Sequence, residues 1–237
     1  MYVVQLSNNC LSLSIPLPAP CLYLLILLTK NQRKITTMSA PLVTVQLYAE
    51  SLCPDCINYS TSQLSDLMSS IPEIVDLQVF PYGNAEETGP DDDGSYEFTC
   101  QHGDNECYAN LLEACAISHY PDVVMDLPTW YPFYECMESS PYNQNRSGDY
   151  NTTVAIGCAQ ELDWVWLDWN LLEGCAGGEE GNELMHKVAQ ATPEHDYVPW
   201  VVVDGVTVPD SGEGYPAGNL VEIVCEAYTG DKPDACL

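Results

Sequence analysis

The 237-residue sequence predicts an α/β fold that carries a large cysteine-rich helical insertion. Three observations lead there. A strand–helix–strand pattern fills residues 43–80. A strand–turn–strand–helix pattern fills residues 197–228. The long stretch between them holds six of the twelve cysteines and four of the five tryptophans, with no convincing strand period.

Val43-Thr-Val-Gln-Leu-Tyr48 alternates and is rich in β-branched residues, so it reads as a strand. Ala49-Glu-Ser-Leu-Cys-Pro-Asp-Cys56 follows, with Pro54 placed at the first turn of a helix, where its missing N–H costs nothing. Ile57 to Ser69 continues that helix with Leu64, Leu67 and Met68 on one side, and Val75 to Phe80 is a second alternating strand. Residues 83–99 read as loop, with Gly83, Gly89, Pro90, Gly94 and the run Asp91-Asp-Asp93. Cys100 to about Ala191 reads as irregular helix, including Trp130, Trp164, Trp166 and Trp169. Tyr197 to Val203 is a strand with a proline inside it. Asp204-Gly205 is a hairpin turn, Val206-Thr-Val208 the returning strand, and Leu220 to Tyr228 a closing helix. The order β-α-β, helical insert, β-β-α is a thioredoxin-like fold expanded in its middle. The expected organisation is a leader over 1–40 and one domain over 41–237, with the helical insertion at about 96–195.

Cys53 and Cys56 carry the predicted chemistry. Thiol–disulfide exchange needs a thiolate that attacks and a second thiol that resolves the mixed disulfide. Cysteines at i and i+3 lie on one side of a helical turn, and unpaired N–H groups at a helix start favour a thiolate. Cys53 is therefore the expected nucleophile and Cys56 the resolving thiol, with Asp55 working against the thiolate. A structural pair of half-cystines and half a zinc site compete with this reading. Zinc would draw further ligands from residues such as Cys100 and His102. Pro199 is the second element. Proline inside an apolar strand is disfavoured unless it has a reason. In a thioredoxin-like fold a cis proline faces the CxxC and frees the preceding backbone for an extended peptide, so Val198 and Pro199 are the expected substrate-binding residues.

Charge and cysteine content bound the setting. Residues 41–237 hold 35 acidic and 3 basic residues, a formal −32, which repels nucleic acid and anionic membranes. Spread along the chain, the acids read as a solvated face. Such a surface approaches neutrality near ~pH 4, compatible with an acidic compartment. Twelve cysteines imply an oxidising compartment, and sequons at Asn58, Asn145 and Asn151 agree. The apolar run Cys21 to Leu28 resembles the core of a signal peptide but lacks preceding basic residues. An atypical signal segment removed near residue 40 is the preferred reading, and initiation at Met38 the rival. No membrane segment is expected in the mature form. No phosphate loop or dinucleotide fingerprint is present, so no cofactor is expected and the reductant is an external small thiol.

The run Cys100-Gln-His-Gly-Asp-Asn-Glu-Cys107-Tyr-Ala-Asn110-Leu-Leu-Glu-Ala-Cys115 resembles the signature of the gamma-interferon-inducible lysosomal thiol reductase (GILT) family, C-Q-H-G-x2-E-C-x2-N-x4-C, at every fixed position. Pro81 to Ala85, Leu184 to His186, His195 to Trp200 and Lys232 to Cys236 resemble the same family, so the likeness runs from about Val43 to Cys236. The resemblance implies a thioredoxin-like thiol reductase of protein disulfides in acidic endocytic compartments, lysosomal, vacuolar or secreted. It puts the family's catalytic pair on Cys53 and Cys56 and gives the signature a structural role. A disulfide oxidase or isomerase on the same fold is one alternative, and a non-enzymatic cysteine-rich secreted binding module the other.

Eight cysteines remain in the mature chain: Cys100, Cys107, Cys115, Cys136, Cys158, Cys175, Cys225 and Cys236. Four disulfides are expected. Residues 106–116 read as helix, which puts Cys107 and Cys115 about 12 Å apart, beyond disulfide reach. They should pair elsewhere, with Cys100 a candidate partner for one. Cys225 could bond Cys236 and pin the tail, or either could reach the insert.

Overall fold

The computed structural model describes residues 40–140, 152–161 and 167–237. The expected leader, Trp164, Trp166 and the sequons at Asn145 and Asn151 lie outside the described residues.

Strand β1 (Val43–Ala49) alternates buried and half-buried residues until Leu47, after which every residue is buried. Buried on both faces at its end, it occupies the interior of a four-stranded sheet of order β2 (Val75–Pro81), β1, β7 (Trp200–Val203), β8 (Val206–Thr207). It pairs in parallel with β2, from Val43 opposite Val75 to Ala49 opposite Pro81. It pairs antiparallel with β7, with Tyr48 opposite Trp200. The Asp204-Gly205 turn then leads to β8. The thioredoxin-like α/β reading is thus observed, with β7 starting at Trp200, later than the predicted Tyr197.

The helix after β1 is less regular than its pattern. It runs as α1 (Pro54–Tyr59), a π-helical turn over Ser60–Leu64, and α2 (Ser65–Ser70). Leu64, Leu67 and Met68 are buried, as their spacing implies. The turn lets Ser60 Oγ meet the Tyr134 hydroxyl at 2.7 Å inside the protein. The sequon at Asn58 therefore sits on a helix, with Ser60 buried and Asn58 donating to the Tyr215 hydroxyl at 3.1 Å.

Residues 83–99 are not all loop. They hold the hairpin β3 (Glu86–Thr88) and β4 (Glu97–Thr99), whose polar, exposed strands give no apolar alternation to read. Then come α3 (Asp104–His119), a small hairpin of β5 (Val123–Val124) and β6 (Leu127–Pro128), α4 (Tyr131–Ser139), α5 (Thr152–Glu161), α6 (Trp169–Ala176) and α7 (Glu179–Ala191). The β5–β6 hairpin corrects the reading of this stretch as strand-free. Two-residue strands fall below any detectable period. Helices α3 and α7 pack against β2, while α8 (Leu220–Ala227) packs against α2, β1 and β7.

Four disulfides tie these pieces together. Cys115–Cys175 joins α3 to α6, Cys136–Cys158 joins α4 to α5, Cys100–Cys107 closes the approach to α3, and Cys225–Cys236 pins the tail to α8. Cys107 and Cys115 share one helix and find separate partners, as the rise per residue demands.

Candidate active site

The site begins where β1 ends. Glu50, Ser51 and Leu52 leave the sheet as a buried loop, and Leu52 takes a left-handed φ of 65°. A branched side chain rarely adopts that region, and such residues persist where surrounding packing over-determines the backbone. The turn delivers Cys53 as N-cap of α1, with Pro54 in the first helical turn. Cys53 is 8 % exposed and Cys56 is fully buried, and both are free thiols.

The two sulfurs are electrostatically unlike. The Cys53 thiol is lowered to about 6, chiefly because the Cys56 thiol donates to it, with added help from the backbone N–H groups of Cys56 and Asp55. Burial and the Asp55 carboxylate oppose the shift. Cys56 is pushed well up by burial and by its bond to Cys53, although the Glu50 backbone N–H faces it. Cys56 thus both stabilises the thiolate on its neighbour and keeps its own proton.

Val198 and Pro199 are buried, and the bond joining them is cis. Because Trp200 pairs with Tyr48, the register carried one step further sets Pro199 level with Ala49, at the end of β1 that leads to Cys53. A cleft of about 670 Å³ borders this strand entry, lined by Tyr82, Asn84, Thr192, His195, Asp196 and Trp200 among others. Tyr197 and Trp200 meet edge to face at 5.1 Å.

Four carboxyls lie under the loop. Glu50, Glu106, Glu113 and Glu138 are each no more than 2 % exposed. They depart from the solvated face expected for the acids of this chain. Asn84 N–H donates to Glu50 Oε2 at 2.8 Å, and burial pushes Glu50 up to about 8. Glu106 accepts from the backbone N–H of His102 at 3.0 Å and is bonded to the His102 ring at Nδ1. Burial raises it while His102 opposes. Glu113 accepts from Ser51 Oγ at 3.1 Å, and Asn110 Oδ1 accepts from Ser51 N at 2.9 Å. Glu113 and Glu138 are hydrogen-bonded to each other and both pushed up by burial. Gly83 is required beside Glu50: its φ is +55°, and an added Cβ would collide with the Glu50 side chain.

The signature segment therefore does more than anchor disulfides. Its Asn110 holds the loop that ends in Cys53 by accepting from Ser51 N, and its His102, bonded to Glu106, lies 3.8 Å from Glu50 on that loop. Glu106 and Asn110 were legible as fixed positions of the motif. Glu50, Glu113 and Glu138 carry no signal in the sequence: a buried acid on a helix has the same spacing as a solvated one, and Glu50 sits on a loop with no period to read.

Among the described residues, two groups of side chains have ligand geometry for a metal ion. In one, Glu50, His102 and Glu106 present atoms within 4.8 Å of one another, but His102 Nδ1 already bonds Glu106 directly. In the other, His119, Cys175 and Glu180, the sulfur is committed to Cys115. The zinc set considered from the sequence is not assembled, since Cys100 is bonded to Cys107.

Fold and paired thiols define a thioredoxin-like dithiol protein. The chain is similar in structure to oxidised DsbA of Mtb, with a TM-score of 0.54 and 15 % identity over 81 % of this chain and 86 % of that one. It is likewise similar to reduced DsbG of Mycobacterium tuberculosis, with a TM-score of 0.52 and 14 % identity over 81 % of each. A family model described as Gamma interferon inducible lysosomal thiol reductase (GILT) matches residues 44–162. The Carassius auratus gamma-interferon-inducible lysosomal thiol reductase is 36 % identical over 82 % of this chain and 72 % of its own length. The Arabidopsis thaliana gamma-interferon-responsive lysosomal thiol protein is 31 % identical over 90 % of this chain and 82 % of its own. The chain belongs to the GILT family and is a thiol–disulfide oxidoreductase.

Proposed function

We propose that the protein reduces disulfides of protein substrates through Cys53 and Cys56, in an acidic lysosomal, vacuolar or secreted setting reached by the secretory pathway. The observation that carries this is the unequal pair: a Cys53 thiol lowered to about 6 beside a fully buried Cys56 that retains its proton. The Cys53 thiolate attacks one substrate sulfur, the substrate S–S bond breaks, and the departing sulfur leaves as a thiolate that takes up a proton. Cys56 then loses its proton and attacks Cys53 Sγ. The second substrate sulfur departs with the electron pair, and the enzyme is left with a Cys53–Cys56 disulfide. Substrate gains two electrons and the dithiol loses two. A small external thiol restores the dithiol by the reverse exchange. Val198 and Pro199 dock the substrate backbone beside Cys53, a role supported by their register next to the end of β1. The acidic setting is supported by the raised, buried carboxyls, which are neutral and cheap to bury only below their shifted range.

Insulin disulfide reduction measured from pH 4 to 8 tests this reading. Cys53→Ser should abolish turnover, and Cys56→Ser should accumulate a mixed disulfide that non-reducing mass spectrometry detects. Turnover retained by Cys53→Ser sinks the proposal. A stabilised Cys53 thiolate also favours the dithiol form, which is the observation behind an oxidase or isomerase reading. A reduction potential near that of strong oxidants, with faster oxidation of reduced ribonuclease than reduction of insulin, would favour that reading instead.

A further inference from the structure

In the reaction proposed above, Cys56 must shed a proton inside the protein before it can resolve the mixed disulfide. Its sulfur is fully buried, so water cannot take that proton directly. Glu50 is the buried acid placed to do so. Its backbone N–H faces the Cys56 sulfur, its charge is felt by both cysteines, and its side chain is enclosed. One carboxyl oxygen is fixed by Asn84 N–H at 2.8 Å, while Oε1 has no hydrogen-bond partner among the described residues. A buried, unpaired carboxyl oxygen is costly and wants a reason. The group across from it is His102, whose Nδ1 lies 3.8 Å from Glu50 Oε1 and which Glu106 grips from the other side. That separation is too long for a hydrogen bond and short enough for one water or a small ring rotation to bridge. His102 is 22 % exposed, whereas both carboxylates it touches are sealed.

We propose that His102, positioned by Glu106, is the proton port of the resolving step: it carries protons between solvent and Glu50, which takes them from Cys56. The thiol S–H bond breaks and its proton passes to the ionised fraction of Glu50, the minor form below about 8, so this step slows as pH falls. The electron pair left on Cys56 forms the new bond to Cys53 Sγ, and the Cys53–substrate bond breaks with its pair going to the substrate sulfur. Glu50 then releases the proton into the His102–Glu106 pair, and the imidazole hands it to water. Glu106 is a positioning residue. Its second oxygen is likewise buried and has no hydrogen-bond partner among the described residues. The other titratable groups around Glu50 are Cys53 and Cys56 on the thiol side and Glu106 and His102 on the signature side, with Glu113 on the neighbouring Ser51. All the carboxyls among them disfavour ionised Glu50, and only His102 can favour it. This gives the His and Glu of the signature a chemical task distinct from the disulfides that flank them.

The proposal rests on the dithiol reading, and one experiment separates the two. A single turnover with 5,5′-dithiobis(2-nitrobenzoate) releases one coloured thiolate on attack by Cys53 and a second on resolution by Cys56. Wild-type protein should show both phases. Absence of the first phase refutes the dithiol reading itself. Glu50→Gln and His102→Gln should leave the first phase within about twofold and slow the second at least about tenfold, with Glu106→Gln intermediate. The second-phase rate should rise with pH toward about 8 in the wild type and lose that dependence in Glu50→Gln. Added imidazole should restore the second phase of His102→Gln, a response that a merely structural histidine would not give. An unchanged second phase, an equal loss of both phases, or failure of imidazole to restore the rate each overturns the proposal.

Discussion

The loop that ends in Cys53 and the helices that close over it treat charge in opposite ways. On the loop, a neighbouring thiol and two N–H groups favour a negative sulfur, and Cys53 is lowered to about 6. On α3 and α4, a few residues' width away in the same core, burial holds Glu106, Glu113 and Glu138 toward their neutral forms. Both environments are buried. They differ in the balance of donors against burial: Cys53 sits at a helix start where a thiol and two backbone N–H groups favour one sulfur, while Glu113 and Glu138 share a single hydroxyl and the His102 N–H and ring do not offset the burial of Glu106. Burial alone therefore does not set the sign of a shift; the balance between burial and the donors aimed at the group decides it.

The sharpest way to break this comparison is Cys53 itself. At pH 4.5 a thiol near 6 is about 3 % ionised, roughly 300-fold more than a free cysteine near 8.5. Iodoacetamide alkylation of Cys53 across pH should show this excess, and a titration near the free value would remove the contrast. Next in size is Gly83→Ala, whose Cβ collides with Glu50 and whose φ of +55° disfavours any side chain. A destabilisation of about 2–4 kcal/mol is expected by urea unfolding, from overpacking and backbone strain together.

Two disulfides, one holding the carboxyl-bearing α3 and one only the tail, give a graded test of comparable size. Cys115–Cys175 spans 60 residues and Cys225–Cys236 spans 11. Loop-closure entropy predicts losses of about 4 and about 3 kcal/mol for the paired serine replacements. The smallest expected effect is on pH-dependent stability. Glu50 is raised from 4.5 to about 8, so between those values the folded chain binds more protons than the unfolded one. Its stabilisation is complete below about pH 4 and is lost as pH rises through about 8, and Glu113 and Glu138 act in the same direction. Cys53, shifted down, has the opposite sign but is one group against several. The melting temperature should fall by several degrees from pH 4.5 to 8, and Glu138→Gln should flatten the slope. A melting temperature that rises over this range would contradict the carboxyl side of the comparison.

Legibility followed the range of the interaction. The β-α-β start, the helix at Pro54, the Asp204-Gly205 hairpin and the terminal helix were readable because alternation, helix starts and tight turns depend on residues close in sequence. The separation of Cys107 from Cys115 was open to the same local reasoning through helix rise, which left Cys100 a candidate partner for one of them, and the structure pairs it with Cys107. The β3–β4 hairpin was not readable, because exposed polar strands leave no period. The π-helical turn at Ser60–Leu64 was not either, since it reflects how Ser60 meets Tyr134, 74 positions away in sequence.

From its residues alone, this chain determined that two thiols would open a helix after a strand and that a proline would enter a strand later in the sequence. Both rest on contacts a few residues long. Only the tertiary structure decided what surrounds those thiols. Glu50 meets His102 across a sequence gap of 52 residues, and Ser51 meets Glu113 across 62. Whether an acid is solvated or sealed depends on which distant elements close over it. A spacing pattern records which side of a helix a residue occupies, and it does not record what that side touches.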